Sequence, residues 1–477
     1  MARRNMSQQY YDIVVVGCGM AGLTAGLRAA ELGQSVAVLE KSPKAERGGQ
    51  TGYSESFRVP SADTDLTEFG YEFAVPDYTA DQFYDDIMAR TDGQADPDIA
   101  RTLVDNAGRT IEWLTEHGVE WDMEPLAVGY TVGRTWFDND QLVAHLIHEI
   151  QDHGGDVYYE TSARRLLQDD AFRVVGLEAA SGDECVRFDC GAVVLACGGY
   201  ESSPEKRARY YGAGFDDMKV RGSGYNTGEA IEMALAAGAN ATGQWSGAHM
   251  ALIDANSPDV GGGANRVDGY QYGVILNVDG ERFLDEGEDA RAHTYAKFGR
   301  EIFKQPEHLG FIVLDSKTHG LVRATGPSEP AVADSLEDLF AQLALDASVA
   351  QSTIETFNAA CAPDEFDPHV LDGNATEGDL RPRKSNWALP IDDPPYYAYK
   401  VTGGITFSFG GVETSSNAEV LDDRRRVIPG FYAAGNATGK LFYNNYPGGT
   451  GLTNAAVYGK IAAEQADTYL DQRTGSN

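Results

Sequence analysis

The chain has 477 residues, 73 acidic against 38 basic side chains, a formal net charge of −35 and 42% hydrophobic residues. That length and apolar content support a large core shared by two or three lobes, and no run approaches the roughly 18 apolar residues of a membrane span. The acidic charge, spread along the chain, excludes nucleic acid and anionic membrane surfaces as natural partners.

With only 11 lysines among the basic residues, it suits a surface hydrated in concentrated salt, where screening removes self-repulsion; a halophilic host is expected. The first ten residues are polar and unlike a secretory leader. The five cysteines (Cys18, Cys185, Cys190, Cys197, Cys361) contain no C-x-x-C pair. They read as reduced thiols of a cytoplasmic protein without iron–sulfur clusters or metal.

In chain order, residues 12–19 read as a buried parallel strand entering a tight turn. Gly17, Gly19 and Gly22 make G-x-G-x-x-G, and a helix follows over 20–32 until Gly33. A second strand, 36–39, ends at Glu40, with Lys41 beside it. Gly17 permits the turn, Gly19 lets backbone approach a pyrophosphate, and Gly22 lets helix pack on strand. Met20 and Ala21 open the helix, whose N-terminus carries partial positive charge toward phosphate. Glu40 is placed to accept hydrogen bonds from a ribose diol. A second glycine-rich stretch, Arg47-Gly48-Gly49-Gln50-Thr51, comes next.

Helical patterns cover 80–90, 96–117 and 139–153, the second opened by an Asp96 cap and a first-turn proline, Pro97. Strands at 156–159, 172–179 and 184–189 form a small meander. It leads to a strand at 192–196 and the turn Cys197-Gly198-Gly199-Tyr200. A further helix is expected at 228–238. Residues 245–395 change texture: a glycine run at 261–263, strands around 273–278, 282–283 and 310–314, helices near 335–346 and 350–360, then a Pro/Asp-rich return over 362–395.

The chain closes with a strand over 428–435 reaching Gly435 and Asn436, then Tyr446-Pro-Gly-Gly-Thr-Gly451-Leu452-Thr453 entering a helix that runs to about 469. A terminal helix returning to the first strand's site, its N-terminus aimed at a ring that gains negative charge on reduction, reads as FAD rather than a nicotinamide cofactor.

These segments resemble the flavoprotein family of fumarate reductase and succinate dehydrogenase over nearly the whole chain. The narrower likeness is to its tricarballylate dehydrogenase branch, through residues 45–49, 221–228, 280–289 and 403–407. The resemblance implies an α/β fold: a Rossmann-like FAD-binding domain (1–244 and 396–477), parallel sheet plus meander, interrupted by an α+β capping domain (245–395). It also implies an FAD-dependent oxidoreductase of CH–CH groups, the FAD non-covalent because the first histidine is His117. The expected substrate is a small carboxylate and the electron acceptor a separate quinone or electron-transfer protein, with no membrane insertion.

In the family, the cap supplies an arginine that moves a proton, shortly after a G-x-R-F motif. Here that motif is Gly280-Glu-Arg-Phe and the candidate is Arg291, with Glu286, Glu288 and Asp289 as candidate acidic relays. The alternative is that Arg291 only pairs with those acids at the surface. His249 matches a family histidine that contacts substrate carboxylate, although a lone histidine is commonly structural. Arg221 and Tyr225 match a stretch of the tricarballylate-like branch and touch either flavin or an additional carboxylate; Tyr225 also reads as core.

Two departures matter. Thr406-Phe-Ser-Phe stands where fumarate reductase has a histidine before Gly410-Gly411, and Asn445-Tyr446-Pro447 where it has an arginine. Tyr446 and Thr406 therefore face substrate instead, and a plain fumarate reductase is disfavoured. The 3-ketosteroid dehydrogenases, which place a tyrosine before the terminal glycine-rich turn, are the main rival. A flavoprotein subunit serving a membrane partner is another, and an FAD-binding protein with a degenerate site a third.

Overall fold

In the computed structural model, which describes residues 7–124, 132–261, 263 and 265–474, the first strand, Ser7–Val16, lies inside a parallel sheet. It pairs in parallel with Val36–Leu39 on one side and with Glu184–Leu195 on the other. The order continues outward to Asp156–Tyr158 past the first neighbour and to Val427–Ala433 past the second, all parallel. Parallel strands covered on both faces need continuous apolar runs, and Ile13–Val16 is one. Ile13 and Val15 enter the core shared with the helices Met20–Glu31 and Thr450–Thr474, while Val14 and Val16 enter the core under the meander.

The meander holds Thr161–Gln168, Val174–Ser181 and Glu184–Leu195, paired antiparallel in that order. Two sequence expectations change here. Thr161–Gln168 is a strand the pattern did not reveal, and 184–189 and 192–196 are one continuous strand that serves meander and parallel sheet together. The first strand also begins at Ser7, five residues before the predicted start. The glycine run is only partly described, since residue 262 lies outside the described residues.

A second sheet carries the insert. Its spine is an antiparallel pair, Ala241–Asp254 with Tyr396–Val412, extended by Gly310–Leu314 and Val274–Leu276. Neither long strand was anticipated, and Arg282 makes only an isolated bridge to Leu276 rather than a strand. Helices Leu336–Gln342 and Ala347–Ala360 cover the outer end over a third core of Phe311, Phe340, Ile354 and Phe357. The unpredicted helix Arg291–Phe303 lies against both long strands. In the register His249 pairs with Phe407, and irregularities flank it between Gln244/Ala248 and His249/Met250. Bulges re-aim side chains, and these sit beside the cleft where the two sheets meet. Among the described residues no helix is long and apolar enough to cross a membrane.

Candidate active site

One cleft, with an empty volume of about 1520 Å³ including its open mouth, runs from the first turn to the insert. Its lining is continuous from the first glycine turn through Gln50 and Asn226 to Arg221, His249 and Arg291. At the nucleotide end Gly17 holds φ +109°, and a Cβ there would stand 2.3 Å from the Ala196 carbonyl oxygen. One on Gly22 would stand 1.9 Å from the Gly17 oxygen, whereas at Gly19 the nearest atom, the Gly48 oxygen, is 3.4 Å away, an ordinary contact. Gly19, Met20 and Ala21 line the cleft, so the helix N-terminus faces it, as phosphate binding needs.

Glu40 lines the cleft at the end of its strand, its carboxylate accepting from the Cys18 amide at 3.0 Å and the Ser42 amide at 2.7 Å. Thr51 Oγ1 accepts from the Met20 amide at 2.8 Å, joining the second glycine-rich stretch to the first helix. Lys41 Nζ lies 3.1 Å from Glu229.

All the predicted cofactor residues line this cleft except four. Gly22 is packed under the turn, Gly48 lies against Val143, and Gly199 lies against Ser408 and Glu201. The Thr453 hydroxyl donates to the Arg58 carbonyl at 2.7 Å. These four shape the cleft from behind.

The five predicted chemical residues, Arg221, His249, Arg291, Thr406 and Tyr446, converge at the other end. Arg291 opens its helix and Tyr295 stands one turn on, so both project to one face. The Arg291 guanidinium lies 4.0 Å from the Tyr295 ring centroid, and the Tyr295 and Tyr446 hydroxyls are 2.5 Å apart. The Tyr446 hydroxyl also accepts from the Gly449 amide at 3.2 Å, at the entry to the terminal helix.

Arg291 Nε donates to Asp268 Oδ1 at 2.8 Å, which corrects the expected relay. Glu286 instead pairs with Arg282 and accepts from the Ile275 amide, Glu288 pairs with Lys297, and Asp289 pairs with Arg90 and His293. Nor is Arg291 a surface residue, at 3% exposure. Burial works against the Asp268 carboxylate, but Arg266 and Arg291 together hold it below the ordinary range. Arg266 in turn lies 2.6 Å from Glu55.

Arg221 differs from its neighbours. It is 7% exposed and lines the cleft, yet among the described residues its guanidinium makes no hydrogen bond or ion pair. Burial, then the like charge of Arg266, pushes its pKa down. The His249 ring stacks on Phe407 and meets Tyr295 and Tyr446 edge-on. Burial, then Arg221 and Arg291, pushes its pKa well down, so it is a neutral imidazole. Both its ring nitrogens, Arg221 Nε and Thr406 Oγ1 are buried without a partner. Buried polar groups are nearly always hydrogen-bonded, so four unsatisfied atoms at one end of a cleft mark a place for a polar ligand. Arg134 completes the wall, donating to Ser56 Oγ at 2.8 Å. Tyr225 is half-buried and lines the cleft, outside the core.

Sequence reasoning missed Glu55, Arg134, Arg266, Asp268 and Tyr295. The spacing of Arg266 and Asp268, two apart on an extended stretch, and of Arg291 and Tyr295, four apart on a helix, was the available signal. No cluster of metal-ligating side chains exists among the described residues.

The fold and cleft are those of an FAD-binding protein. A family model described as "FAD binding domain" matches residues 12–452, and the chain belongs to that family. It is 27% identical to the NADH:fumarate oxidoreductase of Klebsiella pneumoniae (strain 342), over 96% of this chain but 47% of that protein, so it spans about half that relative's length. It is 26% identical to the vinyl phenol reductase of Lactiplantibacillus plantarum, over 97% of this chain and 98% of that one. It is 28% identical to the urocanate reductase of Eggerthella lenta, over 95% and 74%.

Among solved structures, the open conformation of a flavocytochrome c3 fumarate reductase superposes with a TM-score of 0.75 at 24% identity, over 97% of this chain and 78% of that one. A 3-ketosteroid Δ1-dehydrogenase from Sterolibacterium denitrificans does so with a TM-score of 0.77 at 21% identity, over 96% and 100%. Both share the fold.

Proposed function

We propose that this chain is an FAD-dependent dehydrogenase or reductase that moves a hydride to or from a carbon beside a carboxylate-activated C–C or C=C bond of a polycarboxylate. Tricarballylate and cis-aconitate are the leading pair. The observation that carries this reading is Arg221, a buried guanidinium that faces the cleft with no protein anion of its own. Burying an unpaired charge is costly, and a substrate carboxylate relieves that cost. Four arginines face the two carboxylates of Glu55 and Asp268 at this end, a local cationic excess in a chain of net charge −35. Relatives named for fumarate, acrylate and urocanate support an unsaturated acid.

Bound FAD supplies a two-electron hydride donor or acceptor. The chain's residues do the rest. Arg221 holds one carboxylate and counters charge as it develops on the adjacent carbon. Arg291, oriented by Asp268, moves the proton at that carbon; a free guanidinium is too weak an acid for this, and the Asp268 carboxylate, ion-paired to it, takes up or returns that proton through Arg291. Neutral His249 donates a hydrogen bond to the substrate carboxylate without adding charge. Tyr446, Tyr295 and Thr406 offer hydroxyls to the far end of the substrate, where fumarate reductase has charged groups. The insert over 245–395 acts as a cap that keeps water from the transfer, and electrons leave to a separate quinone or electron-transfer protein.

The Tyr295–Tyr446 pair favours a second reading, a ketone polarised by the two hydroxyls as in a 3-ketosteroid substrate. Chemically reduced holoenzyme separates them. Rapid reoxidation by cis-aconitate supports the polycarboxylate, and reoxidation by a dienone steroid alone overturns it in favour of the tyrosine reading.

A further inference from the structure

The proton and hydride chemistry gives no task to Glu201, a buried acid without an ion-pair partner among the described residues. Glu201 follows the Cys197-Gly-Gly-Tyr turn and is fully buried. Its Oε1 accepts from Asn226 Nδ2 at 2.7 Å, and Ser408 stands beside its Oε2. Among the described residues no cation pairs with it. The neighbouring Arg207 gives its N–H groups to the carbonyl oxygens of Glu201, Phe215 and Asp216. Burial accordingly pushes the Glu201 carboxyl up to about 7. A packed leucine would serve stability better than a buried acid without a counter-charge, so what the acid does for the Asn226 amide is the informative part.

Asn226 lines the cleft. With its Nδ2 committed to Glu201, its Oδ1 is an acceptor that no donor among the described residues meets. That oxygen lies 2.9 Å from where a Cβ on Gly198 would stand and 4.0 Å from the same point on Gly49. This is the middle of the cleft. Glu40 and the first turn mark the nucleotide end, and Gln50, which spans from Ser223 to Thr406, marks the substrate end. The part of FAD between pyrophosphate and ring is the ribityl chain, a polyol with hydroxyl donors.

We propose that Glu201 and Asn226 form a ribityl clamp, in which Glu201 fixes the Asn226 amide so that Oδ1 accepts a hydrogen bond from a ribityl hydroxyl of FAD. Glu201 is then a positioning residue, acting only through Asn226. Without it the amide is free to turn and present its NH2 group, which meets a hydroxyl less selectively. The clamp concerns the cofactor and stands or falls independently of the substrate.

The test uses full-length holoenzyme loaded with FAD or with FAD lacking the 2′- or the 3′-ribityl hydroxyl, following flavin release by fluorescence after dilution. The wild type should release one deoxy cofactor about fivefold faster than FAD, the worth of one hydrogen bond. N226A and E201L should release FAD at that faster rate and no longer tell the two apart. E201Q, which keeps an acceptor for Asn226 Nδ2, should discriminate like the wild type. A merely structural role would speed the release of every cofactor equally and leave the ratio unchanged. Wild type that treats both deoxy cofactors like FAD, or N226A or E201L that still discriminate as wild type does, overturns the proposal.

Discussion

Replacing Arg221 with methionine should move stability and catalysis in opposite directions. The side chain is buried, carries charge and has no protein partner, and its lowered pKa reflects burial and Arg266. Exchanging such a cation for an apolar chain of similar length should stabilise the substrate-free holoenzyme by about 1–3 kcal/mol, in the range found when buried ionic groups are replaced by apolar ones. Substrate suffers the reverse. A guanidinium that grips a carboxylate through two N–H groups contributes roughly 1.5–3 kcal/mol for each hydrogen bond, so kcat/KM should fall on the order of 10²- to 10⁴-fold. Urea denaturation of the holoenzyme reads the first quantity and steady-state kinetics with the polycarboxylate the second. A variant that is less stable and still turns over normally would mean that Arg221 holds the fold together and that the carboxylate binds elsewhere.

Arg291→Ala should leave FAD bound, with an unchanged flavin spectrum, while turnover falls about 10²- to 10⁴-fold, the usual share of general acid–base catalysis; near-normal turnover removes Arg291 from the site. Asp268→Asn should lower kcat with little change in KM, because it removes the group that orients Arg291 rather than one that touches substrate; a change confined to KM would refute the relay. Glu40→Ala should weaken FAD by one or two charge-assisted hydrogen bonds, roughly 1.5–3 kcal/mol each, and equal affinity by equilibrium dialysis contradicts the ribose contact. Glu201 gives a pH signature. Its folded value of about 7 stands above the ordinary 4.5, so between these pH values the unfolded chain has released a proton that the folded chain keeps. The Glu201 contribution to stability is full below pH 4.5 and declines as pH rises to about 7, a loss of about 3 kcal/mol in all. Denaturation of E201Q beside wild type across pH 4.5–8 should show the gap growing in favour of E201Q, and a constant gap refutes it.

How much of this was legible in the sequence depends on the distance over which each feature is determined. The first turn was legible because Gly17, Gly22 and Glu40 answer to local demands: a positive φ, a close helix–strand approach, and a strand end facing a helix N-terminus. The Asp96 cap was legible for the same reason, and its carboxylate accepts from the Asp98 and Ile99 amides as expected. Asp268 was not. Its partner Arg291 is 23 residues away, and three nearer acids looked equally suitable; only the packing of the helix Arg291–Phe303 against the long strands decides among them. Thr161–Gln168 escaped because Arg164 and Arg165 break its apolar alternation, and meander pairing overrides that pattern. The unpaired state of Arg221 has no sequence signal at all, since it is defined by what the tertiary structure leaves absent around it.

The most direct test of the central claim is the absorbance of the bound flavin under strictly anaerobic conditions, in concentrated potassium chloride, before and after tricarballylate is added. Tricarballylate should bleach the oxidised flavin bands, and a saturated 3-ketosteroid should leave them unchanged. Bound flavin that stays oxidised with tricarballylate and bleaches with the steroid would contradict that claim, and would make Tyr446, rather than Arg221, the residue on which the chemistry turns.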